Sequence, residues 1–248
     1  MSGEGPAIQL EGVTKSFGSR KVLDDISIEV SEGTAFCLLG RSGTGKSVTL
    51  KHIIGLLQPD SGRVLVHGKD VSHMKGAELS EIRRSMGFLF QNAALFDSIS
   101  VGENVAFPLR RHTDWGDDKI RQVAKAKLTD VGLEKDFDKM PADLSGGMKK
   151  RAGLARAMAL DPDILLVDEP SAGLDPITAD EIDELLVDLK HKGTTLVVVT
   201  HNIPSARHIG DELGFLHEGR LIARGSAADL ERSDHDMVRT FMRSEGAG

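Results

Sequence analysis

The chain has 248 residues, of which 40% are hydrophobic and 28% are charged, as in ordinary globular proteins. This length allows one large domain or two small ones. The net charge of −7 argues against nucleic acid as the main partner, because a phosphate backbone requires a basic face. No stretch approaches about 18 consecutive apolar residues, so any function at a membrane would require a membrane-embedded subunit from another chain.

The N-terminal third predicts several short strands. Residues 8–13 and 26–30 alternate apolar and polar side chains, which indicates half-exposed antiparallel strands. Residues 34–39 are almost continuously apolar, which is typical of a buried parallel strand. Phe17 falls in the loop between the first two strands, where its ring either stacks on an adenine or caps the small sheet. Further short strands are predicted at 64–66 and 86–90.

A glycine-rich loop directly follows the buried strand and reads G-x-x-x-x-G-K-[ST]. Its glycines let backbone N–H groups face an anion, and the helix predicted at 48–57 adds the partial positive charge of its N-terminus. Lys46 can then reach β- and γ-phosphates, and the Ser47 hydroxyl can ligate Mg²⁺. The sequence therefore predicts a nucleotide-phosphate site built from Gly40, Arg41, Ser42, Gly43, Thr44, Gly45, Lys46 and Ser47.

The middle of the chain is helical in pattern. From about residue 100 to 159 the β-branched runs disappear, and helices are predicted at 117–131 and 148–160. We interpret this segment as a helical insertion within an α/β domain. Short basic runs are expected to lie on a solvated surface or to contact a partner; they are Arg83-Arg84, Arg110-Arg111 and Lys149-Lys150-Arg151.

Polar residues follow directly after predicted buried strands. The strand at 164–167 ends in Asp168 and Glu169, and the strand at 196–200 is followed by His201. Ligands of open α/β sheets bind at the carboxyl ends of the strands. Asp168 would hold Mg²⁺ through water, and Glu169 would polarise an attacking water; the alternative is that the two acids cap a helix.

Two further polar residues leave their roles open. His201 either converges on the γ-phosphate or is structural, and Gln91 either faces the ligand or simply terminates its strand. A helix is predicted at 178–189 and a closing hairpin at 213–216 and 220–223. The tail from residue 226 holds a short helix and an amphipathic segment, 237–242, before an end expected to fray at 244–248.

Taken together, these motifs resemble the ATP-binding subunit of an ABC transporter, over nearly the whole chain. The glycine loop resembles the Walker A loop, Gln91 the Q-loop and His201 the switch histidine. A Walker A loop alone occurs in many nucleoside triphosphatases, whereas the ordered set is specific to this family. The other matches are the signature, Leu144-Ser145-Gly146-Gly147-Met148, the Walker B strand, Ile164–Glu169, and the D-loop, Ser171–Asp175.

The resemblance implies a fold and a division of the chain. We expect a P-loop core with a mostly parallel sheet flanked by helices, an N-terminal antiparallel β subdomain and an inserted α-helical subdomain. A single ABC ATPase domain would cover residues 8–243, with a RecA-like core at about 8–91 and 161–225 and the helical subdomain at about 92–160. Residues 226–248 would form a C-terminal tail.

The resemblance also implies an ATP- and Mg²⁺-dependent mechanism that requires two copies of the chain. Ser145, Gly146 and Gly147 of one copy would contact the γ-phosphate of ATP held by the other, and Asp175 would report across the interface. Glu169, His201 and Lys46 would be catalytic, while Ser47, Gln91 and Asp168 would hold the metal. Gln91 would also couple the site to membrane-spanning permease subunits, at the cytoplasmic side of the inner membrane.

Departures from the common family pattern narrow the resemblance to one group of ABC transporter ATPases. Met148 stands where many members have glutamine, and Gly173 is an extra glycine in the D-loop. With these features the chain resembles the ATPase of Mla/Mce-type lipid transporters, whose partners include Mce-domain and small regulatory subunits. Phe17 stands where the family often has tyrosine. Other small-solute importers, a P-loop kinase and a non-transport ABC protein are the competing hypotheses.

Overall fold

The computed structural model describes residues 5–244. Two β-sheets run through this part of the chain, and the strands of each are joined by helices or tight turns. In chain order the strands are β1 (Ile8–Phe17), β2 (Arg20–Val30), β3 (Ala35–Leu39), β4 (Ser61–Val66), β5 (Lys69–Asp70), β6 (Met86–Leu89), β7 (Ile164–Asp168), β8 (Thr195–Thr200), β9 (Glu212–His217) and β10 (Arg220–Gly225).

The helices concentrate between β6 and β7 and at the C-terminal end. Two short 3₁₀ turns, Glu134–Asp136 and Pro141–Asp143, separate the fourth and fifth helices. In chain order the helices are α1 (Lys46–Ile53), α2 (Gly76–Arg84), α3 (Val101–His112), α4 (Asp117–Asp130), α5 (Gly146–Ala157), α6 (Pro176–His191), α7 (Ile203–Ile209), α8 (Ala227–Glu231) and α9 (Asp236–Arg243).

The larger sheet has the strand order β10-β9-β3-β8-β7-β6. All its strands are parallel except β10, which closes the edge as an antiparallel hairpin with β9. The smaller sheet, β2-β1-β4-β5, is antiparallel. The predicted α/β class and the predicted antiparallel N-terminal strands are confirmed.

The larger sheet separates two hydrophobic cores, because successive side chains of a strand point to opposite faces. In β3, Cys37 and Leu39 enter the core that contains α3 to α7 and α9, whereas Phe36 and Leu38 enter the core shared with α1 and the smaller sheet. Burial on both faces explains why β3, β7 and β8 appear in the sequence as continuous apolar runs.

The hairpin of β1 and β2 is longer than its alternating pattern predicted. Phe17 pairs with Arg20 as the last residue of β1, so it is not in an extended loop. Backbone pairing extends both strands into the segment between residues 13 and 26. This segment is mostly polar and lacks the apolar alternation that predicts a strand. The helices α2 and α7 were not predicted.

Side-chain caps set the starts of the two helices that follow functional motifs. Ser145 caps α5 by accepting a hydrogen bond from the Met148 N–H, and Asp175 caps α6 by accepting one from the Thr178 N–H. Pro176 is the first residue of α6, a position that suits its fixed φ. Both helices therefore begin two residues earlier than the apolar spacing predicted.

The C-terminal segment packs on the domain from which it extends. Val238 and Met242 of α9 are buried, and the Phe241 ring lies 4.9 Å from that of Phe215 in an edge-to-face arrangement. Arg207 of α7 donates to the Met242 carbonyl. Of the segment expected to fray, Ser244 is described and residues 245–248 lie outside the described residues. Within the described part of the chain, no helix has both the length and the apolar character needed to cross a bilayer.

A buried carboxyl group, that of Asp183, lies between α6 and α7. Asp183 of α6 is 3% exposed, and its Oδ1 has no hydrogen-bond partner among the described residues. Burial raises the pKa of Asp183 to about 6, and the hydrogen bond from Ser205 of α7 opposes the rise. The charges of His208, Asp180 and Glu184 contribute less.

We predict that Asp183→Asn stabilises the protein at pH 8. The folded pKa lies above the unfolded value of 3.8, so the wild-type protein loses stability as pH rises from about 4 through 6, by up to about 3 kcal/mol. The gain in unfolding free energy from Asp183→Asn should therefore be larger at pH 8 than at pH 5, by about 1 kcal/mol. Denaturant unfolding at both pH values tests this. Asp180→Asn, on the exposed side of the same helix, is the control, and an equal gain at both pH values would contradict the prediction.

Candidate nucleotide site

The register of three parallel strands brings the sequence motifs to one edge of the larger sheet. Leu39 of β3 pairs with Thr200 of β8, and Asp168 of β7 pairs with Val199. The strands therefore end at nearly the same level, and the glycine loop, the acidic pair and the histidine leave the sheet side by side. This edge is where open α/β sheets bind ligands.

The glycine loop wraps the N-terminus of α1. Gly45 is the N-cap residue with a φ of 112°, and a Cβ there would lie 2.8 Å from the Val22 carbonyl oxygen. A side chain is excluded by backbone conformation and by space, so only glycine fits. Arg20 donates to the Gly43 carbonyl at 3.0 Å, which ties the loop to β2. The loop is thus built to hold its N–H groups at the helix end.

Lys46 is buried at 5% exposure and its ammonium is fully engaged. Its Nζ donates to the carbonyl oxygens of Gly40 at 2.8 Å and Arg41 at 3.2 Å. It also forms an ion pair with Glu169, at 3.2 Å from Oε1. A buried charge requires such partners, and here they place the ammonium between the loop and the acidic pair.

Ser47 and Asp168 hold two oxygen atoms side by side, and oxygen is the ligand type that suits a magnesium ion. The Ser47 hydroxyl donates to Asp168 Oδ1 at 2.7 Å. Burial raises the pKa of Asp168, and the hydrogen bond from Ser47 opposes this. Among residues 5–244, no group of three or more His, Cys, Asp or Glu side chains could hold a metal. The two oxygens fit Mg²⁺, which completes its shell with water and phosphate oxygens.

Glu169 and His201 form a close pair beside Lys46. His201 Nδ1 lies 2.8 Å from Glu169 Oε2, and the His201 backbone N–H donates to the same oxygen at 3.2 Å. Glu169 has a left-handed backbone with a φ of 47°, which is costly for a residue with a side chain. This conformation turns the carboxylate back across the sheet edge, toward the glycine loop.

These groups line a cleft of about 590 Å³. Phe17 is 47% exposed at its rim, and Gln91 lies opposite at the end of β6. The other predicted residues that line it are Arg41, Ser42, Gly43, Gly45, Lys46, Ser47, Glu169 and His201. Gly40 and Thr44 belong to the same loop, where the Thr44 hydroxyl donates to the Arg41 carbonyl.

Sequence reasoning missed several residues of the cleft. Arg20 and Val22 come from β2, and Phe241 and Ser244 come from the end of α9. None belongs to a motif, and they reach the cleft only through tertiary packing. The amphipathic pattern at 237–242 predicted that α9 would dock, but not where.

The signature and D-loop residues lie together on a different surface from the cleft. Gly147 packs against Thr178 of α6 so closely that a Cβ would lie 2.2 Å from the threonine methyl carbon. The hydrogen bonds from Thr178 to Asp175 lower the pKa of that carboxyl group. Ser145, Gly146 and Asp175 are exposed on this surface, whereas Gly147 is buried against Thr178; none of the four lines the cleft of its own chain.

One residue of the basic run that follows the signature is not on the surface. Lys150 is 5% exposed, and its Nζ donates to the backbone carbonyl of Glu169 at 2.9 Å. The expectation of a solvated surface or partner contact was wrong for this lysine. A run of three cations in the sequence does not reveal which one the helix turns inward.

A parallel sheet with a glycine loop at a helix N-terminus and an acidic pair at a neighbouring strand end defines a P-loop nucleoside triphosphatase. The separate surface formed by the signature residues narrows this class to a single family within it. The family model described as "ABC transporter" matches residues 23–172, and the chain belongs to that family, as its ATP-hydrolysing ATP-binding subunit.

Three similar proteins cover nearly all of the chain. The probable ribonucleotide transport ATP-binding protein mkl of Mycobacterium leprae is 44% identical over 98% of this chain and 71% of its own length. The intermembrane phospholipid transport system ATP-binding protein MlaF of Haemophilus influenzae is 39% identical over 97% of this chain and 92% of its own. A dimeric post-hydrolysis ATP-binding cassette bound to ADP and Pi has a TM-score of 0.83 and 33% identity, covering 88% of this chain and 98% of that one.

We predict that Lys46→Ala lowers ATP affinity by about 100-fold or more. A unit charge about 4 Å from a phosphate contributes roughly 4 kcal/mol at intermediate dielectric, before desolvation is subtracted. Calorimetric titration with ATP measures the change. Lys75→Ala, which removes an exposed cation remote from the cleft, is the control. Affinity within about threefold of wild type would show that Lys46 does not bind the phosphates.

Proposed function

We propose that the chain energises a transporter that moves phospholipids or related lipids across the bacterial envelope. The observation that carries the proposal is the similarity to MlaF, which extends over 97% of this chain and 92% of that protein. Agreement over both lengths means that the two chains share one domain layout. Met148 and Gly173, the departures from the common family pattern, support the same subfamily.

Ribonucleotide or other small-solute transport is the second candidate. The relative from Mycobacterium leprae carries ribonucleotide transport in its name and is 44% identical to this chain. The ATP-binding subunit does not itself contact the cargo, so both names are compatible with the same cleft. Cargo is therefore decided by the permease with which the chain assembles.

ATP binds in the cleft with its phosphates in the glycine loop. Lys46, which pairs with Glu169 Oε1 at 3.2 Å, exchanges this partner for the β- and γ-phosphates. Glu169 then accepts a proton from the water that attacks the γ-phosphorus, while the bond from this phosphorus to the β–γ bridging oxygen breaks and ADP leaves. His201 holds the other carboxylate oxygen, Oε2, and so orients Glu169. Phe17, exposed at the rim, stacks on the adenine ring.

Ser47, Asp168 and Gln91 would hold a magnesium ion in this cleft. It would neutralise charge that develops on the phosphate oxygens. The direct Ser47 to Asp168 hydrogen bond at 2.7 Å keeps these two donors together.

A second copy of the chain completes each site. Ser145, Gly146 and Gly147 lie outside the cleft of their own chain, although the start of α5 offers free N–H groups and a helix dipole. A head-to-tail dimer places this helix start over the γ-phosphate held by the partner copy, with Asp175 beside it. The dimeric ATP-binding cassette of similar fold supports this arrangement.

Permease subunits dock near Gln91. A groove of about 360 Å³ lies beside the end of β6, and the rings of Phe96 and Phe107, with centroids 4.9 Å apart and tilted by 53°, are exposed in it. Docking there places the chain at the cytoplasmic side of the inner membrane, peripheral to its permease. Mce-domain and small regulatory subunits complete the proposed assembly.

We predict that Glu169→Gln reduces ATP turnover by about 100-fold or more while ATP binding persists. The neutral amide keeps the size of the side chain but cannot take a proton. Bound ATP should then hold a stable dimer, measured by light scattering after gel filtration with and without MgATP. Glu134→Gln, an exposed glutamate in a 3₁₀ turn, is the control. Unchanged turnover in Glu169→Gln would rule out the general-base role.

The cargo is tested on the complete transporter. An affinity tag on this chain allows the complex to be purified from its native membrane and reconstituted in phospholipid vesicles. We expect ATP-dependent movement of a fluorescent phospholipid, absent with Glu169→Gln. ATP-dependent uptake of a labelled ribonucleotide, without lipid movement, would instead establish the second candidate.

A further inference from the structure

Lys150 is a buried cation with a single specific contact. It lies on α5, five residues after the Ser145 cap, and its Nζ donates to the Glu169 carbonyl oxygen at 2.9 Å. Burying a lysine is costly unless its charge is compensated. Burial lowers the pKa of Lys150, and the nearby carboxylates of Asp168 and Glu169 oppose this. The lysine thus offsets the negative charge of the acidic pair from outside the cleft.

The contact falls on the most constrained backbone of the site. Glu169 has a φ of 47°, a conformation that costs about 1 kcal/mol or more for a residue with a side chain. Its N–H donates to the Val199 carbonyl at 2.9 Å, and its own carbonyl accepts from the Ala172 N–H at 3.3 Å. At the Glu169 carbonyl oxygen, the hydrogen bond from Lys150 is shorter than the one from Ala172 and is charge-assisted, so it is the stronger of the two.

The same helix carries the signature. α5 begins at Gly146, and Gly147 is packed against Thr178 of α6. Lys150 therefore connects the helix start that would face the partner's ATP with the glutamate that would act on the chain's own ATP. A displacement of α5 along its axis would move the Lys150 ammonium and the Glu169 peptide together.

We propose that Lys150 is a positioning residue that holds the Glu169 backbone in its left-handed conformation and ties the general base to the signature helix. The inference rests on the proposed role of Glu169 as general base. Lys150 does not line the cleft, so its effect on turnover is expected to pass through Glu169.

The test compares Lys150→Met, Lys150→Arg and Lys149→Met in steady-state ATP hydrolysis and in ATP titrations. Lys150→Met keeps an unbranched side chain, one heavy atom shorter, and removes the donor. We expect kcat to fall about 10- to 100-fold, because a small misplacement of a catalytic group has effects of this size. ATP affinity should stay within about threefold of wild type. Lys150→Arg should recover most of the loss, and Lys149→Met should behave as wild type.

A double variant separates positioning from general stability. Because Lys150 acts only through the Glu169 carboxylate, Lys150→Met added to Glu169→Gln should cause no further loss of kcat. Losses that multiply in the double variant, or a loss of ATP affinity that parallels kcat, would overturn the inference in favour of a structural role. A loss in Lys150→Arg as large as in Lys150→Met would also overturn it.

The Glu169→Gln variant by itself distinguishes a wrong general base from a wrong role for Lys150. If Glu169→Gln turns over ATP at the wild-type rate, the proposed general base is wrong and the Lys150 inference fails with it. If Glu169→Gln is inactive but Lys150→Met is fully active, only the Lys150 inference is wrong.

Discussion

The site depends on the register between β3, β8 and β7. The pairs Leu39 with Thr200 and Asp168 with Val199 make the three strands end at one level. A shift of one residue would move every side chain of a strand to the other face, and both cores prohibit it. The cores therefore place the glutamate within hydrogen-bonding distance of both the loop lysine and the histidine.

Charge balance at that edge explains the local contacts. Asp168 and Glu169 are adjacent, largely buried acids, and the structure gives them two buried cations on different sides. Lys46 pairs with the Glu169 side chain from the glycine loop, while Lys150 binds the Glu169 backbone from α5. Only Lys46 faces the cleft, so only Lys46 is available to a phosphate. In the proposed mechanism, Lys46 therefore binds the phosphates and Lys150 positions the glutamate.

The arrangement of helices explains why one chain carries parts of two sites. The caps at Ser145 and Asp175 start α5 and α6 side by side, and the close contact between Gly147 and Thr178 fixes their spacing. Their N-terminal ends form a surface away from the cleft. In the proposed dimer this surface contacts the nucleotide bound by the partner copy. Lys150 of α5 connects the same helix to Glu169 in the chain's own site.

The sequence alone determined the chemistry and the class of fold. Fixed spacing in the glycine loop, and strand ends marked by Asp168, Glu169 and His201, identify a phosphate site because local backbone geometry and residue type suffice for it. Buried strands and several helices were predicted for the same reason, although Phe17 and the starts of α5 and α6 were misplaced by a few residues.

Only the tertiary structure decided which long-range partners meet. Arg20, Phe241 and Ser244 reach the cleft from distant segments, and no local pattern encodes such contacts. The burial of Lys150 and the left-handed Glu169 are of the same kind. Side-chain periodicity specifies which face of a helix is apolar. Which cation is buried depends on whether the interior of the fold offers a compensating negative charge next to it. Here that charge is the acidic pair at the end of β7.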